Sequence, residues 1–154
     1  MIVVQSPIGP LEIQTTEQGI SSVQKCDARG ALDKAKTKYE RQCVQVLDEY
    51  FAGKRINFSD IPLEAKGTEF QRAVWNATQK IPAGQTVTYG EIAKRVGRPK
   101  AARAVGNALN KNPLLILVPC HRILPASGDN KFRCGGFALG SKTKRWLLEH
   151  ELMN

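Results

Sequence analysis

The 154-residue chain has no apolar run that approaches the length of a membrane span. Its opening Met1-Ile2-Val3-Val4-Gln5 lacks the basic start and the long apolar middle of a signal peptide. These two absences predict an intracellular, cytoplasmic protein that engages no membrane. Histidine is scarce, with only His121 and His150, and residues 1–60 contain none. Four cysteines are present but no C-x-x-C, and the adjacent pair Cys120-His121 does not fit the two-to-four-residue gap usual between paired zinc ligands. No metal site is predicted. Cys26 and Cys43 are the cysteines of the first part, and they are free thiols in a reducing cytosol or a disulfide where the compartment tolerates one. Internal repeats and low-complexity tracts are also missing, and the apolar and charged fractions, 42% and 24%, are ordinary for a globular chain, so disorder is not the default.

Positive charge is abundant and unevenly placed. The net charge is +9, yet residues 1–60 hold eight Lys/Arg against eight Asp/Glu while residues 61–154 hold fifteen against six. All of the excess therefore lies in the second part, as expected of a surface that meets a polyanion.

The same division organises the fold. Strand-like pieces at Ile2–Val4, Leu11–Ile13 and Ile20–Val23, separated by Ser6-Pro7-Ile8-Gly9-Pro10 and Glu17-Gln18-Gly19, read as a meander. Leu32, Ala35, Tyr39, Cys43, Val46, Leu47 and Tyr50 recur at helical spacing, predicting a covering helix from about Asp33 to Phe51 that Gly53 terminates. The expectation is an α/β protein of the α+β kind. A small sheet-plus-helix domain over 1–60 precedes a mainly helical, winged-helix-like domain over 61–154, with the connection at about 52–67.

Thr68-Glu69-Phe70-Gln71 and Thr88-Tyr89-Gly90-Glu91 both have capping-box spacing and start two helices. The second runs to Val96. Gly97-Arg98-Pro99 then makes a turn, and Lys100 to Asn110 offers a further helix, which is helix-turn-helix spacing. Ala101, Ala102, Ala104, Gly106 and Ala108 make that helix slim, while Arg103 and Lys111 make it basic. Side chains that read base edges are scarce apart from Asn107, so the surface predicts shape and backbone contacts with a nucleic acid, in the minor groove. Tight core packing is the other use of such alanines, and the two fit different faces.

The apolar run Leu114-Leu115-Ile116-Leu117-Val118, bounded by Asn112-Pro113 and Pro119, predicts a buried strand that delivers Cys120 at its end. A cysteine thiol, with a pKa of about 8.5, becomes a useful nucleophile where a base or a positive charge favours its thiolate. His121 and Arg122 supply one of each. Beyond a loop at 123–131 come Cys134-Gly135-Gly136-Phe137, whose glycines allow close backbone approach to a flat ligand. Ser141 is placed to cap a last helix with Trp146, Leu147 and Leu148 for packing and Glu151 near its end, where the acid either orients a catalytic imidazole or stays solvated.

Together these residues resemble the O6-alkylguanine-DNA alkyltransferases. The resemblance is carried by Thr88-Tyr89, by Lys100-Ala101-Ala102-Arg103-Ala104-Val105-Gly106, by Asn112-Pro113, by Val118-Pro119-Cys120-His121-Arg122, by Gly135-Gly136 and by Trp146-Leu147-Leu148-Glu149-His150-Glu151, in order over about 68–152. It implies irreversible, once-per-molecule transfer of an alkyl group from guanine O6 in duplex DNA to Cys120, with no cofactor. His121 would be the base acting through a bound water, and Glu151 the acid that orients it. Tyr89 would hydrogen-bond the flipped guanine, Arg103 would fill the space the base leaves, and Asn112 would brace the turn before the cysteine. Lys100, Ala101, Ala102, Gly106 and Arg122 join the DNA contacts. The base pocket would comprise Ile123, Arg133, Cys134, Gly135 and Gly136, with the carbonyls of Cys120 and Ile123 on the guanine amino group. A monomer is expected. The rival class is a non-catalytic lesion sensor or DNA-binding regulator of the same fold, which has no need of the thiol. Two positions depart from the family pattern: Cys134 stands where a serine is common and Arg133 where an aromatic residue is frequent, and both bear on substrate range.

Overall fold

A computed structural model describes residues 1–27, 34–125 and 141–154. Three antiparallel strands, β1 (Ile2–Val4), β2 (Leu11–Thr15) and β3 (Ile20–Lys25), form a meander in the order β1-β2-β3. Strand alternation turns Leu11 and Ile13 fully inward, with Ile13 registered against Ile2 on one side and Val23 on the other. Against this face packs α1 (Lys38–Phe51) through Cys43, Leu47 and Tyr50. Its first free backbone donors are partly satisfied by the Thr37 hydroxyl, which accepts from the Glu40 amide at 3.2 Å. It ends at Gly53, whose φ of 95° suits a residue without a side chain and whose amide bonds the Tyr50 carbonyl at 3.0 Å. The helix starts later than the spacing from about Asp33 predicts: residues 34–37 are not helical, because Thr37 is the residue that caps the first turn, while Asp33 itself lies outside the described residues.

The free edge of β3 does not face solvent. Ile20 takes a bond from the Glu64 amide and gives one to the Pro62 carbonyl, and Val23 is bridged in the same parallel sense by Pro113 and Leu115. An edge that would otherwise present unpaired backbone groups thus ties the sheet to the second part of the chain. One contiguous core results, running from Ile2 and Leu11 through Trp75 and Ile92 to Leu147.

That second part begins with α2 (Glu69–Gln79), whose capping box is complete: Gln71 N to Thr68 Oγ1 at 3.1 Å and Thr68 N to Gln71 Oε1 at 2.9 Å. A short β4 (Val87–Thr88) leads into α3 (Tyr89–Arg95). Here the box is half made, since Thr88 caps the Glu91 amide at 3.1 Å while the Glu91 carboxylate turns outward to Arg95. Gly97, with φ of 79°, reverses the chain into α4 (Ala102–Asn110), which starts two residues later than the sequence spacing predicts and has no side-chain cap at Ala101. Trp75 of α2 fixes α4 by an indole bond to the Ala108 carbonyl at 2.9 Å.

The run Leu114–Val118 is buried as expected, with every residue at most 4% exposed, but it is not a strand. It doubles back on itself: Val118 N bonds Leu114 O at 2.9 Å, and Ile116 takes φ of 71°. A branched side chain in the left-handed region costs about 1–2 kcal/mol, which burial of five apolar side chains outweighs. Apolar content dictated burial, whereas the chain direction was set by the bonds offered by β3 and Asn112. After Pro119 comes a single 3-10 turn, Cys120–Arg122, then β5 (Ile123–Leu124) paired in parallel with β4. The final α5 spans Ser141–Met153, so Ser141, expected as its cap, is already within the helix.

Candidate active site

The 3-10 turn presents Cys120, His121 and Arg122 in succession, and all three are buried. Asn112, between α4 and the doubled-back loop, braces it. Its Nδ2 donates to Val118 O at 3.0 Å and to Cys120 Sγ at 3.4 Å, while its Oδ1 accepts from Leu114 N at 2.9 Å. The cysteine that opens the 3-10 turn is therefore held by the same amide that shapes the loop before it. The parallel pairing of β4 with β5, Val87 opposite Ile123 and Thr88 opposite Leu124, brings the first turn of α3, and with it Tyr89, beside the segment that follows Cys120.

Behind the cysteine lies a charged knot. Glu151 of α5 is 4% exposed and both carboxylate oxygens are occupied: Oε1 by Arg122 Nε at 2.8 Å, Oε2 by His121 Nε2 at 2.6 Å, Tyr50 Oη at 2.6 Å and Arg122 Nη2 at 3.0 Å. Arg122 Nη1 donates further to Ile81 O at 2.6 Å. Lys144, on the same helix and fully buried, donates to Ile123 O at 2.6 Å.

Burial and neighbours fix the protonation states. Burial works to raise the Glu151 pKa, but contacts with His121 and with the permanently charged Arg122 outweigh it and hold the carboxyl well below the usual carboxylate range. For His121, burial is the largest effect and lowers the pKa; Arg122 and Lys144 act in the same sense against the opposing pull of Glu151. The resting imidazole is neutral. Facing an ionised carboxylate, it carries its proton on Nε2, which leaves the lone pair on Nδ1, a buried atom with no hydrogen-bond partner among the described residues. Burial pushes the Cys120 thiol up to about 11, with the Asn112 bond and the Lys144 charge pulling it down. Cys43, which has no such neighbours, is pushed up to about 12 by burial alone. The resting site is thus a neutral thiol beside a neutral imidazole, and a thiolate must form as it reacts.

The exposed side of the helix-turn-helix is different. Arg103, Ala104 and Asn107 face solvent on α4, Lys100 lies in the turn before it, and Ala101, Ala102 and Gly106 are half-buried. Gly106 lies beside the Tyr89 ring, which a Cβ at that position would touch at an ordinary 3.9 Å. Val105, Ala108 and Leu109 turn inward, so the core and surface uses of the small residues fall on separate faces.

Residues 69–153 match the family model described as 6-O-methylguanine DNA methyltransferase, DNA binding domain, and residues 1–65 match that family's ribonuclease-like domain. The chain belongs to the 6-O-methylguanine DNA methyltransferase family. It is 42% identical over 154 residues to the methylated-DNA–protein-cysteine methyltransferase of Methanosarcina acetivorans, covering 97% of this chain and 96% of that one. The Mycobacterium tuberculosis protein of the same name is 39% identical over 96% of this chain. A crystal structure of Mycobacterium tuberculosis OGT in complex with DNA superposes with a TM-score of 0.82 at 38% identity, covering 98% of this chain and 91% of that one. The fold and the recognition drawn from sequence agree with these matches.

Within this family member, one expected DNA contact is corrected. Arg122 is 2% exposed, and its guanidinium is committed to Glu151 and Ile81, so it serves the buried knot and has no face for a phosphate. Arg133, Cys134, Gly135 and Gly136 lie outside the described residues. Two participants escaped the sequence reading. Lys144 is four and seven residues before Leu148 and Glu151, and a lysine on an inward stripe was the available signal. Tyr50 gave none, since its spacing with Cys43 and Leu47 reads simply as core. Cys26, Cys43 and Cys120 are free thiols.

Proposed function

We propose that this protein repairs DNA by direct reversal, moving an alkyl group from guanine O6 to Cys120 in a single irreversible event. The observation that carries this reading is the buried Asn112–Cys120 and His121–Glu151 arrangement set directly behind the basic helix-turn-helix. As the substrate base enters, His121 Nδ1 takes the thiol proton, through a water, and the resulting imidazolium is stabilised by Glu151. The thiolate attacks the alkyl carbon in line; the S–C bond forms as the C–O bond breaks. The electron pair passes to the guanine, where hydrogen bonds stabilise the developing charge and the proton is returned. Atoms and charge balance without a cofactor, and the thioether product leaves no route back to the thiol.

Tyr89 serves the flipped base and its phosphate, and Arg103 occupies the gap in the duplex, with Lys100, Ala101, Ala102 and Gly106 against a minor groove. Extruding the base costs a few kcal/mol, least where damage has already weakened pairing. The Ile123 carbonyl, oriented by Lys144, meets the guanine amino group together with the Cys120 carbonyl. The family resemblance assigns Arg133, Cys134, Gly135 and Gly136 to the substrate base as well. In this division of labour residues 61–154 bind and react while residues 1–60 support them, the protein acting as a monomer inside the cell. Among the described residues no helix is long and apolar enough to cross a membrane.

Intact-protein mass spectrometry after mixing with duplex DNA bearing one O6-methylguanine tests the reading. One methylene added per molecule, and none in Cys120→Ala, is the expected result. Lesion-selective binding with no mass gain overturns it in favour of a damage sensor.

A further inference from the structure

Tyr50 comes from the amino-terminal helix, 101 residues before the carboxylate it touches, and nothing in the chemistry above uses it. Its ring is 2% exposed, wedged edge-on between Phe51 and His150 with centroids at 5.3 and 5.4 Å. Its backbone is also tied to α5, because His150 Nε2 donates to the Tyr50 carbonyl at 2.8 Å. Two bonds, one from the hydroxyl and one to the carbonyl, thus anchor the active-site end of α5 to α1. The hydroxyl alone touches the reacting network, on the oxygen that His121 uses.

We propose that Tyr50 is a positioning residue for alkyl transfer: its hydroxyl shares Glu151 Oε2 with His121 and sets the negative charge that this oxygen presents to the imidazole. The inference rests on the transfer reading above and deepens it. Roles in the bond are unambiguous, because burial, reinforced by the Glu151 charge, raises the phenol pKa; Tyr50 can only donate, and the ionised Glu151 can only accept. A donor on a carboxylate oxygen withdraws charge from it and weakens its stabilisation of a neighbouring cation. Among the described residues, the groups facing the imidazole from the elements packed against it are Glu151 and Lys144 on α5, Arg122 and Cys120 on its own turn, and Tyr50 on α1 through Glu151. Of these, Tyr50 can be changed without altering a formal charge. With the hydroxyl present, the imidazole stays neutral at rest, ready to accept a proton. Without it, Glu151 favours the imidazolium, and protonation claims the base at higher pH.

Tyr50→Phe keeps the ring and deletes the bond. Single-turnover transfer from O6-methylguanine duplex, followed by intact mass between pH 5.5 and 8.5, is the test. The acidic limb of the rate–pH curve moves to higher pH, and the rate falls about tenfold near pH 6, shrinking to within about threefold at pH 8.5. Duplex affinity stays within twofold. His150→Gln, which loosens the other anchor of α5 and leaves the hydroxyl in place, serves as the control and keeps the limb where it is. A deficit in Tyr50→Phe that is the same at every pH, or one matched by His150→Gln, reduces Tyr50 to packing and overturns the inference. Failure of the unaltered protein to gain mass would instead defeat the transfer reading. Should Tyr50→Phe not fold, 3-fluorotyrosine incorporated into the unaltered chain strengthens the phenol as a donor. The His121 ring shifts, read by NMR, then move toward lower pKa; unmoved shifts overturn the proposal.

Discussion

The outer face of α4 and the knot behind Cys120 are both rich in charge, and they treat it in opposite ways. On α4, Arg103 stands in solvent with Ala104 and Asn107, and nearby ion pairs such as Glu91–Arg95 are half in water. Such charges keep their hydration and their mobility, and each pair is worth a few tenths of a kcal/mol. In the knot, Arg122, His121 and Glu151 are at most 4% exposed and their bonds span 2.6–3.0 Å. Desolvation makes each of these groups dependent on its partners, and the reward is fixed protonation: one carboxylate, one neutral imidazole with a known free nitrogen. A polyanion is met best by charges that give up water only on contact. A proton transfer needs charges whose states are decided beforehand.

The contrast predicts a descending series of effects. Arg122→Met, which strips the knot of its permanent cation while keeping the stem, lowers stability by about 3–5 kcal/mol in denaturant unfolding, because Glu151 is left as a buried charge without its cation. A loss below about 1 kcal/mol would mean the knot behaves like a surface pair. Acid comes next. Because the folded-state pKa of His121 is lowered, the unfolded chain takes up its proton first as pH falls through about 6.5, and stability drops from there downward. Glu151 adds to the loss below about 4.5, its ordinary value, since its folded pKa is also depressed and the advantage vanishes as it protonates. Thermal melts between pH 3 and 8 read both phases, and a His121→Phe variant retains only the lower one. Smallest is Arg103→Ala. It leaves stability within about 0.5 kcal/mol, weakens duplex binding, and reduces the log–log salt slope by about one unit, as measured by titration at several salt concentrations. A slope that does not change would mean that Arg103, in the gap of the duplex, neutralises no phosphate.

Local rules made much of this legible. The Thr68 and Thr88 caps, the Gly53 and Gly97 terminators and the helix–turn–helix follow from bonds that close within four or five residues, the strands follow from alternation between turns, and these elements appear at the expected places with shifts of one or two residues at the ends. Leu114–Val118 shows the limit of such rules. Five apolar residues announce burial, but whether they extend or fold back depends on which edge offers hydrogen bonds, and here β3 and Asn112 offered them to a turn.

By itself the sequence determined which residues are chemically able to act: a cysteine followed by a histidine and an arginine, a basic helix slimmed by alanine, and an acid at the end of the last helix. Only the tertiary structure decided which of them meet. Glu151 lies 29 residues from Arg122, 30 from His121 and 101 from Tyr50, and the pairing exists because α1, the 3-10 turn and α5 bury their apolar stripes together. The same packing turned Arg122 from a surface cation into an internal one and drew Lys144 under Ile123. A side chain's neighbours across the core, and hence its ionisation, come from that shared burial, which no stretch of the chain specifies alone.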